Sequence, residues 1–286
     1  MGGGNWDSKT FRDYTYSTKK VNVSSSGDYR ANHQDIFKQS SLAPELNPKN
    51  VTRECCDSAE HPNTIPIILA LDVTGSMGDA ATETAQKLNV IMTELYSKVK
   101  DVEFMIMGIG DFAYDKCPLQ VSQFESDIRI AEQLDKIYFE FGGGGNSYES
   151  YTAAWYFALH HTKLDCWNRG KRGILITMGD ENINPYLPKD RIRNVIGDNL
   201  QADIDTKELY KDIIAKYDVH HIYVDHHGWD YANFDTWINV LDGQHFHKCK
   251  INGIAQLITD IVTSADTSLS FVANTESNSS SEGISW

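Results

Sequence analysis

Residues 65–78 read IPIILALDVTGSMG, and the fold turns on them. The apolar run from Ile65 to Leu71 is nearly continuous, as expected of a strand covered on both faces by helices. It ends in a carboxylate, Asp72, and hydroxyls follow two and four residues later at Thr74 and Ser76. Gly75 and Gly78 let the turn bend tightly, so both hydroxyls can point back toward Asp72. Carboxylate and hydroxyl oxygens are hard donors of the kind Mg²⁺ takes, and Mn²⁺ or Ca²⁺ accepts them too. A turn whose hydroxyl only caps the next helix is the simpler alternative, but capping uses one hydroxyl and leaves the other unexplained.

Working outward, Gly78–Lys100 has helical spacing, with Leu88, Ile91, Met92, Leu95 and Val99 on one face. Val102–Gly110 is a second buried strand with Asp111 at its end. Ile128–Ile137 reads as a short helix, and Ser147–Leu164 as an aromatic-rich one behind the glycine run 142–145. Gly173–Met178 is a third strand running into Gly179-Asp180. Thr206–Tyr217 reads as helix, His221–Asp225 as strand, Asn233–Leu241 as helix, Gln244–Cys249 as strand and Ile251–Thr263 as a closing helix. This alternation predicts an α/β fold: a Rossmann-like, open, mostly parallel sheet of about six strands with helices on both faces. Residues 64–264 form that domain. Residues 1–63 are polar and without sustained periodicity, an extended or partly disordered N-terminal arm, and 265–286 are a Ser- and Asn-rich flexible tail.

The composition narrows the function. The chain has 286 residues, 41% hydrophobic and 23% charged, enough to bury a core without disulfides. Its formal charge of −14 disfavours nucleic acid, whose phosphates call for a basic surface. The five cysteines (Cys55, Cys56, Cys117, Cys166, Cys249) show no CxxC spacing and read as free thiols. No signal segment or membrane-length apolar run is found, and Trp6 stands where a myristoylation signal would have Ser or Thr. A cytoplasmic protein without membrane attachment is expected.

The order Asp72, Thr74, Ser76 resembles the DxSxS signature of the metal-ion-dependent adhesion site in von Willebrand factor A domains, with Thr at the first hydroxyl position. The resemblance covers roughly residues 64–264. It implies that Asp180, in Ile176-Thr177-Met178-Gly179-Asp180, joins Asp72, Thr74 and Ser76 as a metal residue. It also implies a polar residue after the glycine run, for which Asn146, or Ser147 beside it, is the candidate; a helix N-cap is the alternative use of both. Asp111 is a further candidate near the metal, with a turn or cap role equally open. The stretch 47–78 looks like stand-alone bacterial and phage members without assigned activity.

What the family implies is a non-enzymatic interaction module. One coordination position of a bound divalent cation is left open and filled by an Asp or Glu of a protein partner. The chain would then be an adaptor or scaffold subunit of a larger assembly, with a MoxR-type AAA+ ATPase among the possible partners. The alternative is a Mg²⁺-dependent hydrolase or phosphoryl-transfer enzyme, for which a metal-activated water is conceivable. No GxSxG or GxxxxGK[ST] motif supports it. An RNA-binding relative, as in Ro-like rings, is disfavoured by the acidity. The histidines at 220, 221, 226, 227, 245 and 247 suggest zinc at first sight. His220 and His226 lie at opposite ends of a strand, however, and His245 and His247 could join His226 or His227 only in the right register. They read as polar strand ends.

Overall fold

The computed structural model describes residues 4–140, 147–225 and 234–276. Its main sheet has six strands, numbered here along the chain: β1 Ile65–Asp72, β2 Val102–Ile109, β3 Leu119–Val121, β4 Gly173–Gly179, β5 Tyr217–Asp225 and β6 Phe246–Lys250. Their order across the sheet is β6-β5-β4-β1-β2-β3. All neighbours are parallel except β3, which runs antiparallel to β2 at the edge. The α/β reading of the sequence therefore holds, with a mostly parallel, doubly wound sheet. In such a sheet the chain reverses its winding between β1 and β4, and the crevice beyond the carboxyl ends of these strands is where polar groups can gather.

The alternation along β1 shows why it reads as unbroken apolar sequence. Ile67, Leu69 and Leu71 point into one core with Ile106, Ile174, Ile176 and Ile222. Ile68 and Ala70 point into the other, with Met105, Met107 and Leu175. The first core is covered by α2 (Gly78–Lys98) and α6 (Ile254–Glu276), the second by α4 (Tyr151–His160) and α5 (Thr206–Ile213). A shorter helix, α3, spans Arg129–Leu134.

Three local readings change. Ser147–Leu164 is not one helix: Tyr148–Glu149 pairs with Asn182–Ile183, α4 follows, and Thr162–Leu164 pairs in parallel with Arg53–Cys55. Tertiary pairing outweighs helix propensity at both ends of α4. Strand β5 starts at Tyr217 rather than His221, because Asp218 and His220 interrupt its apolar run without interrupting its hydrogen bonds to β4. Lys189–Val195 is a helix the periodicity did not announce.

The N-terminal segment also holds a helix, α1 (Ser8–Lys19), capped by the Asp7 side chain, which accepts from Thr10 N. Its apolar positions are too sparse for a periodic signal, yet they land on the α2 side of the core. Phe11 is 2% exposed and Tyr29 3%, and Ile36, Phe37 and Leu46 are buried with them. Two buried amides of α2 bind this segment: Asn89 Nδ2 donates to Gly27 O (3.0 Å) and Gln86 Nε2 to Ala31 O (2.8 Å). Trp6 Nε1 in turn donates to Asn89 Oδ1 at 3.1 Å. If residues 1–63 are part of the folded core, Phe11→Ala should destabilise the protein by about 3–5 kcal/mol in urea denaturation. A change within error would show that the segment is held only loosely.

Candidate functional site

At the carboxyl end of β1 the apolar strand delivers a carboxylate to a place with no solvent. Asp72 is 0% exposed. Moving a carboxylate out of water costs several kcal/mol even after relaxation, and three donors offset part of that. Thr74 N (2.9 Å) and Thr74 Oγ1 (2.7 Å) donate to Oδ1, and Tyr151 OH donates to Oδ2 at 3.1 Å. Hydrogen bonds to a charged group are worth about 1.5–3 kcal/mol each. They do not close the deficit: burial first, and then the Asp180 charge, hold Asp72 above the ordinary carboxylate range.

The other two predicted residues lie in the same cluster. Ser76 Oγ stands 3.5 Å from Thr74 Oγ1 and donates to Asp180 Oδ1 at 3.1 Å. Asp180 follows the last residue of β4, beside β1 in the sheet, so a separation of 104 positions in sequence closes to one hydrogen bond. Thr74 is buried, Asp180 half-buried and Ser76 exposed. The oxygens thus run from the protein interior to the surface, and the cluster is open on one side.

Of the remaining candidates, Asp111 is buried in a turn of its own. Its Oδ1 accepts from Ala113 N at 2.8 Å, and its N–H donates to Asp115 Oδ2 at 2.7 Å. Ser147 is exposed, and its carbonyl accepts from Asn182 N and Nδ2. Asn146 and the glycine run lie outside the described residues, as do His226 and His227.

Three residues of the cluster gave no signal in the sequence. Tyr151 heads α4 and packs against the stacked rings of His221 and Trp237, ring centroids 5.0 and 5.1 Å away. Its hydroxyl lies so close to β4 that a Cβ on Gly179 would fall 1.8 Å from it. The Gly179-Asp180 order therefore has a steric reason: a side chain at 179 would push Tyr151 off Asp72. Glu149 is 6% exposed, and its Oε2 has no hydrogen bond among the described residues. Burial, and then the Asp72 charge, raise its carboxyl strongly. Glu181, half-buried, is pushed up to about 7 by burial and then by Asp180.

Four carboxylates thus crowd one strand edge, and Asp72 is met there by hydroxyls and an amide rather than by a lysine or arginine. An all-oxygen donor set with surplus negative charge fits Mg²⁺, Mn²⁺ or Ca²⁺, and lacks the nitrogen or sulfur that zinc favours. Asp72, Thr74, Ser76 and Asp180 are the residues that would hold such an ion.

A scan of protein-family models matches none to this chain, and a search of curated proteins also finds no match. Among solved structures, the pilus adhesin SpaC from Lactobacillus rhamnosus GG, in its open conformation, aligns with 75% of this chain at 11% identity and a TM-score of 0.46. This chain spans 31% of that adhesin's length. The vWF domain of the type V pili tip protein Mfa5 from Porphyromonas gingivalis aligns with 78% of the chain and 98% of its own length, at 12% identity and a TM-score of 0.40. The conserved hypothetical protein BatB from Bacteroides thetaiotaomicron aligns with 72% of the chain and 98% of its own length, at 14% identity and a TM-score of 0.39. Likeness at this level says nothing about the site. The α/β architecture rests on the strand order itself.

The carboxylate crowding has a measurable consequence. Carboxyls raised in the folded state hold protons that the unfolded chain releases near pH 4, so stability falls as pH rises from about 4 toward 7. With EDTA present, unfolding free energy should drop by about 1–3 kcal/mol between roughly pH 5 and pH 7. Mg²⁺ should flatten this slope by supplying the missing positive charge. Equal slopes with and without Mg²⁺ would show that no cation enters the cluster.

Proposed function

We propose that this chain is a metal-dependent protein-interaction module of the von Willebrand factor A type. Asp72, Thr74, Ser76 and Asp180 would hold Mg²⁺, and an Asp or Glu carboxylate of a protein partner would complete its coordination. The observation that carries this reading is the convergence of these four side chains at one strand edge, buried at Asp72 and open at Ser76. A bound divalent cation supplies a Lewis-acidic centre for an acidic side chain. The chain's own part is to hold Asp72 in place through Thr74 and Tyr151, and to keep the ion's outer side accessible.

Loops at the same sheet edge carry exposed apolar side chains. Tyr114, in the loop after β2, is 58% exposed. Ile238, in the short helix Asp235–Ile238, is 59% exposed. That helix is docked beside the site, where Trp237 Nε1 donates to Glu181 O at 3.0 Å and Thr236 Oγ1 to Asn182 Oδ1 at 2.9 Å. Apolar anchors around a polar centre suit a protein interface. A MoxR-type AAA+ ATPase is one partner class, and the role would be that of an adaptor or scaffold subunit.

The second reading, a Mg²⁺-dependent hydrolase or phosphoryl-transfer enzyme, draws on Glu181, whose carboxyl near 7 could serve as a general base. That shift comes from burial and crowding by Asp180, and a cation held by Asp180 would relieve the crowding.

The test is affinity capture from native lysate in Mg²⁺ or EDTA, comparing wild type with Asp72→Ala. A partner retained only by wild type in Mg²⁺ supports the module. Retention unaffected by EDTA and by Asp72→Ala would overturn it, and Mg²⁺-dependent phosphate-ester turnover lost in Asp72→Ala would favour the enzyme. With a partner in hand, Ile238→Ala should weaken its binding by about 1–2 kcal/mol, measured by calorimetry, if that rim lies in the interface.

A further inference from the structure

The opposite end of the sheet holds a cluster of different chemistry. Along β5, Asp218 and His220 alternate with Val219 and His221 and share a face with Ile222, which lies in the core covered by α6. His245 lies just before β6, and His247 is its second residue. Parallel pairing of β5 with β6 sets His247 opposite Ile222. The register runs from Leu71 through Met178 to Ile222, placing Asp72 one residue above that level and Asp218 four below it. The two clusters are therefore roughly 16 Å apart along the strand direction.

Side-chain oxygen of Asp218 and ring nitrogens of His220 and His245 all lie within 4.8 Å of one another. His220 Nε2 is 3.3 Å from Asp218 Oδ2, and His245 Nε2 is 3.2 Å from Asp218 Oδ1. Donors about 2.0–2.2 Å from a tetrahedral zinc ion stand about 3.3–3.5 Å from each other, so these separations need little adjustment. His220 is 8% exposed, and its buried Nε2 meets Asp218 Oδ2 at 3.3 Å without good hydrogen-bond geometry. A buried ring nitrogen so poorly paired costs free energy, and a metal bond at that atom would remove the cost.

The far nitrogens of both imidazoles are already engaged. His245 Nδ1 meets Asp242 Oδ1 at 2.6 Å, and His220 Nδ1 meets His247 Nε2 at 3.1 Å. Metal binding would put the proton of each imidazole on Nδ1, donated to those partners, and free both Nε2 atoms, which otherwise meet the Asp218 carboxylate as N–H donors. Metal-binding histidines are commonly oriented by such partners. Arg172 Nη2 reaches Asp218 Oδ1 at 3.5 Å and helps fix the carboxylate's rotation. Beside the cluster lies a cavity of about 290 Å³, lined on its far side by Leu257, Asp260 and Ile261 of α6. It leaves room for water at a fourth coordination position.

We infer that Asp218, His220 and His245 form a second metal site, specific for a zinc-class transition ion and separate from the oxygen cluster at Asp72. One oxygen and two imidazole nitrogens suit Zn²⁺ and do not suit Mg²⁺. By joining β5 to the chain entering β6, the ion would clamp the outer strand of the sheet.

The experiment is Zn²⁺ titration of the untagged, chelator-stripped protein, with bound metal counted by elemental analysis and Co²⁺ used as a spectroscopic probe. Wild type and Asp72→Ala should each bind one Zn²⁺ that excess Mg²⁺ does not displace. Co²⁺ should give the intense visible bands of a tetrahedral site. His220→Gln/His245→Gln should lose both signals, and Asp242→Asn should weaken Zn²⁺ binding roughly tenfold. Wild-type protein that binds no Zn²⁺, or a double variant that binds it equally well, would overturn the assignment. The wild-type Co²⁺ spectrum is a test in itself, so a poorly folded variant does not leave the question open. Loss of Zn²⁺ binding in Asp72→Ala would place the ion at the other cluster and also overturn it.

Discussion

A buried carboxylate at the end of an apolar strand is the constraint on which the site depends. β1 is built to be covered on both faces, so whatever follows Leu71 starts from the interior. With Asp72 there, the neighbouring structure has to supply hydrogen-bond donors. Thr74 does so from within the turn, with both its amide and its hydroxyl. Tyr151 does so from α4, and its approach requires a glycine at the end of β4. Conformation at three separate places in the chain is thus tied to one oxygen pair. The donors are neutral, however, and Asp180 sets a second carboxylate against Asp72, while crowding and burial raise Glu149 and Glu181 beside them. The arrangement satisfies geometry more fully than it satisfies charge, which is the physical case for a divalent cation.

How much of this could be read from sequence follows from how local each feature is. The strand, the carboxylate and both hydroxyls fall within residues 65–76, where burial and spacing are directly visible. Asp180 is legible through the resemblance, which implies an Asp at the end of a further strand; in the sheet that strand lies beside β1 and ends at the same edge. Tyr151 and Glu149 were not: each looks like an ordinary residue near a helix start, and only packing shows that one donates to Asp72 while the other is buried beside it. The N-terminal helix was missed for the converse reason. Phe11, Tyr29 and Ile36 are apolar positions spread over polar sequence; they are buried by packing into the core on the α2 side, where Gln86 and Asn89 also hydrogen-bond the segment's backbone.

The histidines show the limit of spacing arguments. Taken along the chain, His220 and His245 belong to different elements, and their encounter depends on the register of β5 with β6. A shift of one residue would turn His247 to the opposite face. The partner of His220 is not at the far end of β5, where His226 follows, but Asp218, two residues before it and on the same face. Aspartate in an otherwise apolar strand reads as an interruption; in the folded sheet it is the residue that His220, His245 and Arg172 share.

The two ends of the sheet therefore differ in chemistry because they differ in construction. At the carboxyl end, strands deliver side chains into loops, and a turn such as 74–76 can gather hydroxyl oxygens around a carboxylate without disturbing a ladder. At the opposite end, beside an outer strand, the polar groups sit on the strands themselves, where side chains must alternate and stack. Imidazoles suit that setting: they can join edge to edge, as His220 Nδ1 does with His247 Nε2 at 3.1 Å, and still present the other nitrogen to a neighbour. Oxygen donors at one edge and nitrogen donors at the other would let one small domain discriminate between hard and borderline metal ions by position alone. The separation also keeps the clusters independent, since a clamp on β6 changes neither the turn at Thr74 nor the packing of Tyr151 against Gly179.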